Sequence, residues 1–227
     1  KLIPAFVMLL VSAVLMSTAS FAWFAMNTNV TATGMEVSAK ADSIFLEIKG
    51  TTDGDTWKTT GTNALDAEIY PADHKAFGDG AAATIETASN WFYKYGTDPG
   101  NALTGASEEK AIGAFNDYVA KTSYQIRLNP NMVKKGYDLY VSSITIPVDT
   151  GITVIVQCGD KCQEFNETNT NISWAAGLNL VDEMTTEMTV NVYIYIDGEN
   201  AHVYTNNASA LTGAVQFALS ISGADRT

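Results

Sequence analysis

The chain has 227 residues, a formal net charge of −12 and a calculated pI of about 4.4. Such an acidic chain repels nucleic acid, and this excludes the classes of protein that bind polyanions through a basic surface. Its length is enough for one sizeable domain or two small ones.

The N-terminal segment, residues 2–26, contains no charged residue and is mostly apolar. As a helix it would extend about 37 Å, enough to cross a hydrocarbon layer about 30 Å thick, and Pro4 is tolerated in its first turn. A helix that is apolar on every side is not left in water, so the segment must be removed, buried in lipid or buried by its neighbours. The side chains expected to form the buried surface are Leu2, Ile3, Phe6, Val7, Leu9, Leu10, Val14, Leu15, Phe21, Trp23 and Phe24.

Three interpretations of this segment stay open. It is a secretory signal cleaved after Ala19 or Ala22, a membrane anchor, or a helix that is retained after export and packs against its copies in a filament core. Small residues such as Ser12 and Ala13 would let neighbouring helices approach closely. We expect the retained helix.

Beyond residue 34, apolar and polar residues alternate with the period of two that is typical of half-buried strands. The clearest stretches are 35–41, 43–49, 65–70, 124–128, 137–148, 152–156, 190–196 and 215–221. The apolar phase shifts across Ser142 and Ser143, which predicts a β-bulge there. A turn at Asp197 and Gly198 precedes another expected strand at 201–204.

About nine closely spaced strands, without an alternation of strands and helices, predict a mainly β fold. We expect an antiparallel β-sandwich of jelly-roll type, preceded by the long hydrophobic helix. The predicted organisation is a hydrophobic helix at 1–26, a polar linker at 27–34 and a β-sandwich domain at 35–227.

The glycine-rich region 72–114 is the least decided part of the chain. Its aromatic cluster at 91–95 is expected to pack a loop onto the core, and a carbohydrate- or partner-binding role is the alternative. Residues 107–111 are weakly helical in pattern.

The two cysteines, Cys158 and Cys162, flank a Gly-Asp pair that fits the turn of a hairpin. Export favours oxidation, so we expect a disulfide between them, with two free thiols as the alternative. Histidine occurs only at His74 and His202, which leaves too few ligands for a zinc site, and no metal site is expected.

No catalytic motif is present, so no catalytic residue and no cofactor are expected. The carboxylate pairs at 108–109 and 182–183 lie in polar, loop-like sequence and are expected to be solvated. Sequons that permit N-glycosylation begin at Asn29, Asn166, Asn171 and Asn207.

The junction after the hydrophobic segment resembles that of a class of exported fibre proteins. The run Ser17-Thr18-Ala19-Ser20-Phe21-Ala22-Trp23-Phe24, followed by Asn29-Val30 and Gly34-Met35-Glu36-Val37, is similar to the export signal and first strand of the TasA/camelysin class of Gram-positive matrix-fibre proteins. The segments 190–198 and 203–207 also resemble exported proteins of Firmicutes. This resemblance implies a jelly-roll domain and a fibre in which an N-terminal strand completes a neighbour's sheet after signal removal. The linker and donor strand would then include Asn29, Val30, Thr31, Met35 and Val37.

A retained helix would instead resemble those of type IV pilins and archaeal flagellins, although Ala5 and Phe6 stand where type IV pilins carry a glutamate. We therefore expect a pilin-like structural subunit of an extracellular, cell-surface filament, inserted in the membrane before assembly. Its partners would be copies of itself and the export and assembly machinery. The alternatives are a donor-strand fibre subunit and a binding module on a membrane anchor.

Overall fold

The computed structural model describes residues 30–41, 46–51, 53–74, 85–93, 110–111, 113–130, 137–170, 180–184, 187–203 and 215–222. The predicted hydrophobic helix, Asn29, Asn171, Asn207 and the carboxylate pair at 108–109 lie outside these residues. Within them, no helix has the length and apolar character needed to cross a membrane.

The described residues are mainly β, and alternating apolar and β-branched side chains account for most of the strands. In chain order the strands are β1 (Val30–Ala41), β2 (Leu46–Lys49), β3 (Thr60–Ile69), β4 (Ala72–His74), β5 (Trp91–Tyr93), β6 (Lys110–Ala111), β7 (Val119–Leu128), β8 (Tyr137–Thr145), β9 (Ile152–Cys158), β10 (Lys161–Phe165), β11 (Val181–Met184), β12 (Met188–Ile196) and β13 (Val215–Ser222). Short 3-10 turns occupy Ala88–Asn90 and Phe115–Asp117.

Two five-stranded sheets form the body of the fold. Sheet A has the order β11-β8-β13-β1-β3, and sheet B has the order β10-β9-β12-β7-β2. Their inner faces contribute to one hydrophobic core, which includes Leu46, Ile48, Tyr124, Ile126, Leu139, Val141, Val154, Val156, Val190, Val192, Ile194, Val215, Phe217 and Leu219. The mainly β, sandwich-like architecture predicted from the sequence is therefore confirmed.

A third layer covers part of the outer face of sheet B. The short strands β4, β5 and β6 form a three-stranded sheet, and a second apolar cluster joins Ala72, Ile85 and Trp91 to Tyr193 and Tyr195 of β12. Strand β9 and the second half of β12 are thus buried on both faces. This explains why β9 and β12 are almost continuously hydrophobic rather than strictly alternating.

The predicted bulge in β8 is confirmed. Ser143 pairs with Ala218 and Val141 pairs with Leu219, so Ser142 is the extra residue on its strand. The Ser142 hydroxyl donates a hydrogen bond of 3.2 Å to the Ala218 carbonyl. The bulge lets both halves of β8 direct apolar side chains toward the core despite the phase shift in the sequence.

Several expectations about local structure are wrong. β1 begins at Val30, inside the segment predicted to be a linker, and it pairs in parallel with β13, whereas the sequence suggested antiparallel pairing throughout. Residues 110–111 form β6 rather than a helix. Residues 201–203 follow β12 without forming a strand, because hydrogen bonds among Asp197, Asn200 and Val203 build consecutive turns there.

Candidate assembly interface

Strand β1 lies between β3 and β13 and is second from the edge of sheet A. It pairs antiparallel with β3 along almost its whole length and parallel with β13 over residues 37–41. Among the described residues, β1 alone links β3 on one side to β13, β8 and β11 on the other through backbone hydrogen bonds. Strand β1 therefore holds sheet A together.

Alternate residues of β1 pair with buried residues of β13. Val37 pairs with Val215, Ala39 with Phe217 and Ala41 with Leu219. These three β13 residues are at most 2% exposed. The apolar positions 37, 39 and 41 predicted from the sequence thus stand opposite the most buried part of β13, which fixes the register strongly.

On the other side of β1, the partner strand β3 approaches sheet B closely at Gly61. Gly61 pairs with Ala39, and a Cβ atom at Gly61 would lie 3.2 Å from the ring of Tyr124, which is fully buried. Two positions along β3, the buried Asn63 side chain donates to the Thr122 hydroxyl at 2.6 Å and accepts from the Thr51 backbone N–H at 3.1 Å. The edge strand β3 is therefore tied to sheet B as well as to β1.

The third layer is linked to sheet B through an aromatic and ionic cluster. The His74 ring is within 3.1 Å of Glu164 Oε1 and makes edge contacts with Trp91 and Tyr195. The Tyr195 hydroxyl donates to the same Glu164 oxygen. Burial alone would raise the pKa of Glu164, but the hydrogen bonds from His74 and Tyr195 outweigh it and hold that pKa below its usual value. Burial, together with the nearby Glu164 charge, raises the pKa of Tyr195.

A second polar network connects the same layer to β7 and β12. Lys121 Nζ donates to Glu86 at 2.5 Å, and the Tyr193 hydroxyl lies 2.8 Å from the same carboxylate oxygen. The hydrogen bond from Lys121, followed by that from Tyr193, lowers the pKa of Glu86. Both networks hold the third layer against sheet B.

The predicted disulfide is absent. Gly159 and Asp160 form a two-residue turn with Gly159 at φ 59°, so Cys158 pairs with Lys161 while Cys162 pairs with Gln157. Adjacent positions on a strand face opposite sides, so Cys158 joins the main core and Cys162 packs against the outer cluster. Both cysteines are thiols, and burial raises the pKa of Cys158 to about 11.

Trp91 is buried in the second apolar cluster, and its indole N–H donates to the Ile85 carbonyl at 2.6 Å. The side chain at the start of the aromatic cluster therefore packs a loop onto sheet B, and it is not available as a ligand platform. Among the predicted sequons, Asn166 is described, and its side-chain oxygen accepts hydrogen bonds from the N–H and hydroxyl of Thr168 in an exposed turn.

Within the part of the chain that the structure describes, no group of three His, Cys, Asp or Glu side chains is arranged to hold a metal ion. No family model, no curated protein and no solved structure matches this chain. Its function is therefore inferred from its own geometry.

Proposed function

We propose that the protein is the structural subunit of an extracellular filament in which β1 of one copy completes sheet A of the next. The observation that carries this proposal is the position of β1 between β3 and β13. The filament would form outside the cell, at its surface, with copies of the chain as partners.

The topology around β1 supports the proposal. Without β1 and the edge strand β2, sheet A has the order β3-β13-β8-β11 and sheet B has the order β7-β12-β9-β10. From β7 to β13 successive strands alternate between the two sheets, except for the β9–β10 hairpin within sheet B, which is the pattern of a jelly roll. In a jelly roll the first and last strands are direct antiparallel neighbours. Because β1 is antiparallel to β3 and parallel to β13, those two strands have the relative direction of such neighbours. Strand β1 is thus an insertion into an otherwise closed arrangement.

A strand inserted in this way suits exchange between copies. If β1 leaves, the N–H and C=O groups of β3 and β13 lose their partners, and an unpaired edge of this kind recruits another strand. The backbone groups of the slot are the same whether β1 comes from its own chain or from another copy. Exchange therefore preserves every ladder hydrogen bond while linking subunits head to tail, which generates an open polymer.

Of the two predicted routes of assembly, this proposal takes the strand-exchange alternative. The helix-core route depends on residues 1–26, which lie outside the described residues, and those residues are assigned here to export and membrane insertion before assembly. The protein would act through assembly rather than through catalysis.

Paired cysteines test the exchange. Ser38 of β1 pairs with Thr62 of β3, so S38C/T62C places two thiols opposite each other, in a C162S background that removes the more accessible native thiol. After oxidation of assembled material, we expect a ladder of covalent multimers on a non-reducing gel. Oxidation of dispersed chains should give cross-linked monomers, because β1 then fills its own slot.

The matched control is T145C/Q216C, which joins the neighbouring strands β8 and β13 within one subunit. It should give monomers in both samples. If assembled S38C/T62C also gives only monomers, β1 is not exchanged and the proposal is wrong.

A further inference from the structure

A depression of about 310 Å³ opens on the outer face of sheet B, away from the third layer. Residues from β2, the loop after it, β7 and β12 line it, among them Lys49, Thr51, Ser123, Gln125 and Thr189. None of these residues takes part in the pairing of β1.

The depression exists because β2 is short. Its pairing with β7 ends at Lys49 and Gln125, and the chain then turns away at Gly50. The Gly50 N–H donates to Asp53 at 2.9 Å, and the Thr51 N–H donates to Asn63 of β3 at 3.1 Å, so this loop does not continue the pairing with β7. The depression lies where β7 no longer pairs with β2, and polar groups line it.

Among the described residues that line this depression, Lys49 is the charged one. Four of the cations whose side chains the structure describes, Lys58, Lys121, Arg127 and Lys161, each lie within salt-bridge distance of a carboxylate. Lys49 makes no such contact among the described residues, and its ammonium lies 4.9 Å from the centre of the Trp57 ring. Within a chain of net charge −12, this is a local site for an anionic group.

The remaining lining suits hydroxyl groups. Thr51 and Ser123 donate their hydroxyl protons to Asn63 and Asn191, so toward a ligand they act as acceptors. The Thr189 hydroxyl and the Gln125 amide can both donate and accept hydrogen bonds. A volume of about 310 Å³ is at the lower end of small-molecule sites, which corresponds to one or two sugar rings. A long polyanion would be repelled by the net charge of the chain, whereas a ligand with one charge and many hydroxyls would not.

We propose that this depression binds a carboxylate-bearing saccharide, with the Lys49 ammonium paired to the carboxylate and the hydroxyl and amide groups of β7, β12 and the loop bonded to the sugar hydroxyls. The ligand class is a uronic-acid unit of an acidic polysaccharide. A filament subunit with this site would attach to such a polysaccharide through an outward-facing surface, independently of strand exchange.

Ligand-observed saturation-transfer NMR on the full chain tests this proposal, since it works with dispersed and assembled protein alike. The probes are glucuronic acid and, as the matched neutral sugar, glucose. We expect glucuronic acid to bind about tenfold more tightly than glucose, and Lys49→Gln to remove that preference, as loss of a charge-assisted hydrogen bond predicts.

Lys161→Gln is the matched control, because it makes the same change of charge on an exposed lysine outside the depression. Its binding should equal that of the unmodified chain, and Lys49→Arg should retain most of the preference. Equal binding of the two sugars, no saturation transfer to either, or unchanged binding in Lys49→Gln would overturn the proposal. A second combination of results would also overturn it: neither sugar binds, and Lys49→Gln prevents assembly. The depression would then hold a carboxylate of a second copy of the chain rather than a sugar.

Discussion

Thr153 is a buried residue whose hydroxyl has no hydrogen-bond partner in the described structure. A buried polar group without a partner costs about 1–3 kcal/mol, and valine has nearly the same shape as threonine. We expect Thr153→Val to raise the free energy of unfolding by about 1 kcal/mol, measured by urea denaturation.

The control for that change is Thr122→Val, also on an inner strand and also largely buried. There the hydroxyl accepts from Asn63, so its loss leaves part of a buried amide unsatisfied and should lower stability. If the two valine variants change stability in the same direction, the hydrogen-bond assignment at Thr153 is wrong.

Glu164 makes the docking of the third layer depend on pH. Its pKa is held below the usual value of 4.5 in the folded chain, so the ionised form is favoured by folding. The corresponding stability is present above pH 4.5 and is lost as the pH falls through the lowered pKa. We expect Glu164→Gln to reduce the loss of stability in that window, measured as urea midpoints between about pH 3 and pH 7.

Part of the acid sensitivity should remain in Glu164→Gln, because Glu86 and Asp53 also have lowered pKa values. Hydrogen bonds from lysine side chains are the first cause at both sites, with Lys121 at Glu86 and Lys58 at Asp53. A variant with the same pH profile as the unmodified chain would show that Glu164 does not contribute.

At the scale of the elements, the hairpin β9–β10 predicts the chemistry of the two cysteines. Its two-residue turn directs them to opposite faces, so they cannot approach each other without a shift of register. We expect the denatured but unreduced chain to take up two alkyl groups per molecule, measured by intact mass. Before denaturation Cys158 should react slowly, since it is buried and its pKa is raised to about 11. A chain that takes up no label before reduction would contradict this register.

The elements that could be predicted are those in which a local pattern decides the structure. Strict alternation located β7 and β13, and the phase shift at Ser142 located the bulge in β8. The alternation in β1 was visible from Met35 onward, but its start at Val30 was not, because Thr31, Ala32 and Thr33 give no clear apolar phase.

What could not be predicted depends on contacts between distant residues. The parallel pairing of β1 with β13 leaves no trace in either strand alone, and the three-stranded layer consists of strands of only two or three residues in a glycine-rich region. The predicted disulfide is wrong because a two-residue turn pairs Cys158 with Lys161, one residue before Cys162. Cys162 therefore lies on the opposite face of the hairpin. The depression beside Lys49 was missed for a similar reason, since β2, β7 and β12 are far apart in sequence.

At the scale of the whole molecule, the net charge of −12 opposes contact between subunits. If copies exchange β1, assembly must overcome this repulsion, which is screened over about 30 Å at 10 mM salt and about 8 Å at 150 mM. We expect the critical concentration for assembly to fall over that range of sodium chloride, measured by pelleting. Assembly that is independent of salt would mean that subunits meet through surfaces without net charge.

The pairing of β1 with β13 also determines when sheet A can close during synthesis of the chain. Strand β1 is made before every other described strand and its parallel partner β13 after them, so sheet A has high contact order and closes late. A chain emerging from a ribosome or a translocon therefore carries β1 without half of its slot until residues 215–222 have followed. During that interval the early strand is open to capture by a finished neighbour, so nascent and completed chains would be the pair that starts a polymer.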